Sequence, residues 1–329
     1  MKRMFVSLAV ALLVGCAGDQ VSVIEKVDQV DTLSLQSVNL SDEILMPLKM
    51  ISSDGKLIIM QAAGDEVFVA LDNPSSGNSR VIGLKGRGPL EFLNVDVQSF
   101  QPIDGGFICI DEGGIVKRVR LSDEISITTE IIDTHGNPRN GILMNDSYIT
   151  ANMNGSESEF IRYTKGADDY VTFQPYPEWI ENAELTLPLV YVKNMVAHPT
   201  EDKFAAFYAY FRKCRIIKTN GVILNDIDVR IPEDFPDYSL EPLTRSLAYA
   251  SYPCASEKYI YALCHNEQMH SLSKSIPEIH IWDWYGNLKA RVVLDRHIDI
   301  FTVDETKGLI YAMDINNSNV LYYQNYSLN

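Results

Sequence analysis

The chain has 329 residues, with 28 basic against 44 acidic side chains and a formal net charge of -16 at neutral pH. Phosphate binding needs a net basic footprint, so this composition excludes nucleic acid and anionic headgroups as partners of the surface as a whole. The hydrophobic share of 46% suffices for a sizeable core, and no segment beyond the N-terminus is apolar for long enough to span a bilayer.

The first residues read as an address. Lys2 and Arg3 form a positive n-region, and Met4 to Val14 is an apolar run of signal-peptide length. That run is too short for a stable anchor of ~20 residues. It ends in Leu13-Val14-Gly15-Cys16, which resembles the lipobox of bacterial lipoproteins. The resemblance implies that 1–15 is a signal peptide, that Cys16 is the lipid-modified first mature residue, and that 16–29 is a tether. Cleavage removes two basic residues and no acid, which takes the net charge to -18. Such a protein is anchored to a membrane without spanning it. The expected place is the cell envelope, at the outer membrane.

From residue 30 the chain is organised by repetition. Six times a short polar turn precedes a compact apolar strand. The pairs are Asp54-Gly55 before Leu57–Met60, Gly105-Gly106 before Phe107–Ile110, and Asn145-Asp146 before Tyr148–Ala151. Then come Glu201-Asp202 before Phe204–Phe207, Ser256-Glu257 before Tyr259–Leu263, and Lys307-Gly308 before Leu309–Met313. The strands recur every 41–56 residues, close to the ~40–50 of a propeller blade. The even spacing predicts one domain over 30–329, an all-β six-bladed β-propeller of four-stranded antiparallel blades. In the fifth blade the predicted strands are Leu247–Tyr252 (inner), Lys258–Cys264, Glu278–Asp283 and Leu288–Leu294 (outer). Gly286 and Asn287 supply the turn before the last of these. The final repeat lacks a strand. Residues 30–40, with Leu33, Leu35, Val38 and Leu40 roughly alternating, are expected to supply its outer strand and close the ring.

Gly86-Arg87-Gly88-Pro89-Leu90-Glu91-Phe92 follows the outer strand of blade one. It resembles the G-R-G-P-G-E-F signature of the six-bladed, TolB-like propeller lipoproteins common in Bacteroidetes. Ile281-Trp282-Asp283-Trp284-Tyr285-Gly286-Asn287 and Gly308–Met313 are similar to the last blades of that family, and the likeness covers essentially the whole mature chain. Leu90 departs from the usual Gly. The resemblance implies a fold and an envelope location, and no catalytic residues. On its own chemistry the heptapeptide is a stiff, tight crossing between blades, with Glu91 paired to Arg87 or to backbone amides. The functional alternative sets Arg87 at the channel mouth as a clamp for a carboxylate or phosphate.

No nucleophile elbow, metalloprotease helix, P-loop or dinucleotide fingerprint is present. Cys109, Cys214, Cys254 and Cys264 have no zinc-site spacing and read as free, mostly buried thiols. His265 and His270 share a loop with Glu267, but the spacing matches no metal pattern, so neither a metal nor another cofactor is expected. Three long connections are more informative: Pro175–Leu189, Pro232–Arg245 and His265–Pro277. In a propeller they emerge on one face, and long loops on a rigid scaffold carry function. They bear Tyr176, Trp179, Phe235, Tyr238 and His270 among acids that include Glu181 and Asp237. Rings stack and carboxylates accept from hydroxyls and amines, so the face suits a glycan or peptide. The structural alternative is that Trp179 and Phe235 pin their own loops. The favoured function is a non-catalytic binding or protein-interaction module. The alternative is a hydrolase or lyase acting on a glycan or lactone.

Overall fold

The second strand of each repeat decides the architecture. On Lys203–Tyr208 the five residues after Lys203 are all buried. Side chains on a strand alternate between faces, so such a strand needs apolar cover on both sides. Phe204, Ala206 and Tyr208 enter a core shared with blade three, while Ala205 and Phe207 enter the one shared with blade five. Among the described residues six cores of this kind occur, one between each pair of neighbouring blades. The computed structural model describes residues 21–42, 44–122, 124–136, 139–154, 157–180, 187–231 and 245–328.

The result is a six-bladed all-β propeller of mostly four-stranded antiparallel blades. Blade one runs Pro47–Ser53, Lys56–Gln61, Glu66–Leu71 and Arg80–Lys85 from axis to rim. Blade two runs Gln101–Ile103, Gly106–Asp111, Ile115–Leu121 and Ile125–Ile131, and blade three Gly141–Met144, Ser147–Ala151, Ser158–Thr164 and Val171–Pro175. Blade four runs Lys193–Ala197, Lys203–Tyr208, Lys213–Lys218 and Ile223–Val229. In blade five the inner strand is Cys254–Ala255, shorter and later than the predicted Leu247–Tyr252. Ser246–Leu247 is diverted to pair with Glu267–Gln268 in a separate small sheet, which removes it from the blade. Tyr259–Cys264, Glu278–Asp283 and Leu288–Leu294 complete blade five as expected.

The ring closes with the N-terminus. Gln36–Asn39 pairs antiparallel with Val320–Asn325 and is the outer strand of blade six. Leu35 and Leu40 on either side of it are buried in the cores flanking blade six. The same segment does more than predicted. Val30–Leu33 adds a fifth, parallel strand to the rim of blade five. Val21–Ile24 does the same on blade four, so the fold begins by Val21, inside the stretch expected as a tether.

The six polar turns follow the inner strands onto one face, and three neighbouring pairs of them are stitched together. Gly105 N–H donates to Asp54 Oδ2 at 2.5 Å, Lys307 Nζ to the Gly55 carbonyl at 2.7 Å, and Ser256 Oγ to Glu305 Oε1 at 2.6 Å. Asp54 and Asn145 take left-handed backbone conformations, which short polar side chains tolerate. Among the described residues the four cysteines are free, with Cys109, Cys214 and Cys264 buried and Cys254 half-buried.

Blades three and four share a buried charge network. Glu159 is fully buried and accepts from Tyr208 Oη at 2.6 Å, with Lys193 Nζ at 2.6 Å and Arg215 Nη1 at 3.5 Å. Arg215 also donates to Asp226 Oδ2 from Nε and Nη2, at 2.9 and 2.6 Å. The Lys193 ammonium lies 4.8 Å from the Phe160 ring and 5.3 Å from those of Tyr176 and Tyr208. Burial pulls the Lys193 pKa down, and Glu159 opposes that pull.

Candidate functional site

The axis is crossed by polar side chains from several blades. Lys49, on the inner strand of blade one, donates to the Gln98 carbonyl at 2.9 Å and lies 5.4 Å from the Tyr252 ring. Gln98 accepts from Met195 N–H at 3.1 Å and donates to the Asn140 carbonyl at 2.8 Å. Asp96 accepts from Asn140 and Gly141 N–H and from Tyr148 Oη, at 3.0, 2.9 and 2.7 Å. Burial lowers the Lys49 pKa to about 8, against the opposing pull of Asp96. These bonds tie four blades at the centre.

Below the belt, on the face of the polar turns, the channel opens into a basin of about 540 Å³. Four blades build it, through Asp54, Asp104, Asn145 and the turn around His198 and Glu201, with Arg118 on one wall. Asp54, Asp104, Asn145 and Glu201 are exposed. Arg118 is partly exposed and has Glu130 at 3.5 Å. The turns arrive together because each directly follows an inner strand, and all inner strands run the same way along the axis.

His198 is the group in this basin with catalytic potential, and its surroundings restrain it. Nδ1 accepts from the N–H groups of Thr200 and Glu201 at 3.1 and 3.0 Å. A neutral ring therefore carries its hydrogen on Nε2, which faces Glu201 Oε1 at 3.2 Å. Burial, and then the nearby Lys203 ammonium, hold its pKa below the usual histidine value. The side chain is 2% exposed and the ring packs on Trp284 at 4.7 Å. Nε2 is enclosed, out of reach of a molecule in the basin.

Of the predicted loop-face residues, Tyr176, Trp179 and His270 lie among the described residues, and the two aromatics serve packing. Tyr176 is buried, donates to the Asn152 carbonyl at 2.6 Å and packs against Tyr191. Trp179 is half-buried against Tyr208, Phe211 and Tyr191, with ring centroids 4.6, 5.3 and 5.7 Å away, and Arg215 stacks over it at 5.0 Å. Both pack the core between blades three and four. Glu181, Phe235, Asp237 and Tyr238 lie outside the described residues. His270 is exposed on a 3-10 turn, Met269–Lys274.

Arg87 is exposed at the rim of blade one, not at the channel mouth. The heptapeptide ends in Glu91–Phe92, a fifth strand outside Arg80–Lys85. Its own bonds fix it: Gly88 N–H donates to Glu91 Oε2 at 2.7 Å, and Gly86 N–H to the Phe92 carbonyl at 3.0 Å. A Cβ on Gly86 would run into the Glu91 carboxylate. Phe92 is fully buried against Phe68, and Lys117 donates to the Glu91 carbonyl. The turn residues of the basin had a sequence signal. Asp54, Asp104, Asn145 and Glu201 each belong to one of the repeated polar turns or lie beside it, and a turn after every inner strand must point to one face; Arg118, on the strand Ile115–Leu121, carried no such signal.

No family model and no curated protein matches the chain. Solved structures match it over most of its length. A protein of Bacteroides fragilis assigned as exported aligns with a TM-score of 0.51 at 12% identity, over 91% of this chain and 100% of its own. A member of the duf4221 family from Bacteroides vulgatus gives 0.51 at 9% identity, over 88% and 95%. Streptogramin B lyase gives 0.50 at 13% identity, over 88% and 97%. At these identities the likeness is one of fold. Among the described residues no helix is long and apolar enough to cross a membrane.

Proposed function

We propose that the mature chain is an exported, lipid-anchored propeller that binds a glycan or peptide and does no chemistry on it. The observation that carries this reading is the basin on the polar-turn face. It is open, it is lined from four blades, and its exposed groups are hydrogen-bonding acids and amides. Carboxylates at Asp54, Asp104 and Glu201 can accept from sugar hydroxyls or peptide amines. The imidazole that could move a proton is enclosed behind them. An acid–base mechanism needs its base within hydrogen-bond reach of the reacting proton.

The N-terminal signature and the resemblance of the heptapeptide to envelope lipoproteins support the location. Two exported or Bacteroides propellers among the solved structures of like fold point the same way. Val21 joins the rim of blade four, and five residues of chain reach at most about 18 Å. A lipid on Cys16 would therefore hold the disc close to its membrane, on the outer-membrane side of the envelope. Cys16→Ser should release the protein into the soluble fraction or block its processing. Unchanged membrane fractionation of that variant rejects the anchor.

The binding test uses glycan and peptide arrays probed with the soluble mature chain. Asp54→Asn/Asp104→Asn should weaken retention of the captured component by about 1–3 kcal/mol, and mass spectrometry should find that component unaltered. Equal retention by the double variant rejects the basin. A cleaved or eliminated product supports the hydrolase or lyase reading instead.

A further inference from the structure

The opposite face, over blades five and six, holds a second constellation. His297 and Asp299 lie on the link into the inner strand Ile300–Asp304, and Asp314 follows the second strand Leu309–Met313. One ligand atom from each lies within 4.8 Å of the others, and all three residues are half-buried. We propose that His297, Asp299 and Asp314 form a binding site for a divalent transition-metal ion, zinc or manganese.

The hydrogen bonds around His297 carry the argument. Nδ1 stands 2.7 Å from the Ser275 carbonyl oxygen. A carbonyl only accepts, so the hydrogen is on Nδ1. In a neutral ring this leaves a lone pair on Nε2, and Nε2 faces Asp299 Oδ1 at 3.1 Å. Two acceptors at that distance repel unless a positive charge lies between them. An ion shared by the imidazole and the two carboxylates would supply that charge. A backbone carbonyl that fixes the far nitrogen of an imidazole is also the usual support of a metal-binding histidine.

Each carboxylate is oriented through the backbone. Asp299 Oδ2 accepts from Ile315 N–H at 2.9 Å, which leaves Oδ1 for the cluster. Asp314 Oδ1 accepts from Asn316 N–H at 2.8 Å and from its Nδ2 at 3.2 Å. His265, nine-tenths buried, stands beside the group with its ring centroid 6.3 Å from that of His297. One imidazole nitrogen and two carboxylate oxygens suit zinc or manganese better than calcium, which takes six to eight oxygens. Three protein ligands leave coordination positions open for water or for an anionic group. The ion would put a cationic point on an acidic protein, on the face away from the basin, and the site does not depend on the binding reading above.

The experiment is calorimetric titration of the full mature chain, stripped with EDTA, with zinc chloride and with manganese chloride. One of the two should bind with one equivalent per chain. His297→Ala and Asp314→Asn should each weaken it by at least about tenfold. Asp168→Asn, an exposed acid on blade three, should leave it unchanged. Circular dichroism checks that the variants fold, and Asp314→Asn carries the test if His297→Ala does not. Absence of a one-equivalent isotherm for either ion overturns the site. So does equal binding by both site variants, or nitrogen NMR showing both His297 nitrogens protonated at pH 7 with the ion in excess.

Discussion

Glu159→Ala probes the junction of blades three and four at its most sensitive point. The substitution removes the carboxylate that faces the Lys193 ammonium, whose side chain is 1% exposed. Lys193 would keep the faces of Phe160, Tyr176 and Tyr208, but among the described contacts no anion. Breaking a buried pair by removing one partner costs about 3–5 kcal/mol, because the other charge stays buried and uncompensated. Tyr208 Oη would also lose its acceptor, although Arg215 would keep Asp226. Against a total stability of about 5–15 kcal/mol, the loss is a large fraction. In urea it should appear as a lower midpoint with an unchanged slope, and in a thermal scan as a fall on the order of 10 °C. Glu159→Gln/Lys193→Met removes both charges and should recover most of the loss. A cost below about 1 kcal/mol for Glu159→Ala, or a double variant no better than the single, would refute the reasoning.

Two further outcomes follow from the same structure. A chain starting at Ser41 loses the outer strand of blade six together with buried Leu35 and Leu40. At about 1.5–3 kcal/mol for each buried leucine, and with a blade edge exposed, it should lose on the order of 5 kcal/mol; a cooperative melt at the full-length temperature contradicts this. Burial alone would raise the pKa of Glu278, but neighbouring His280 and the paired Arg291 hold it down to about 2. A depressed carboxylate stabilises the fold above its unfolded value, near 4.3, and that contribution fades as pH falls through 2. Allowing for solvent screening, wild type should lose about 2 kcal/mol more than Glu278→Gln between pH 5 and pH 2. Parallel stability curves for the two proteins would disprove it.

The ring was legible because its signal is repetition. Strands such as Phe204–Phe207 are apolar on every residue, and only an element covered on both faces tolerates that. Closure by Gln36–Asn39 followed from counting strands in the last repeat. The rim strands Val21–Ile24 and Val30–Leu33 left no such mark, since one of their sides is solvent and their sequences are short and half polar. The inner strand of blade five was misplaced because Leu247–Tyr252 is as apolar as a strand, yet a tertiary pairing with Glu267–Gln268 takes its first residue elsewhere. The site was harder still. Trp179 and Tyr176 look the same in sequence whether they stack on a sugar or on Tyr191, and packing decides between the two. Asp54 and Asn145 were visible as turn residues, but their convergence on one basin needs three dimensions.

The most direct test of the account is a hydrogen-exchange footprint of the mature chain with and without whichever array component it retains. Binding in the basin predicts slowed exchange at 54–55, 104–106, 145–146 and 198–201, with the segment 176–180 unchanged. Slowed exchange confined to 176–180 and 265–275, with the polar turns unaffected, would contradict it and return the site to the opposite face.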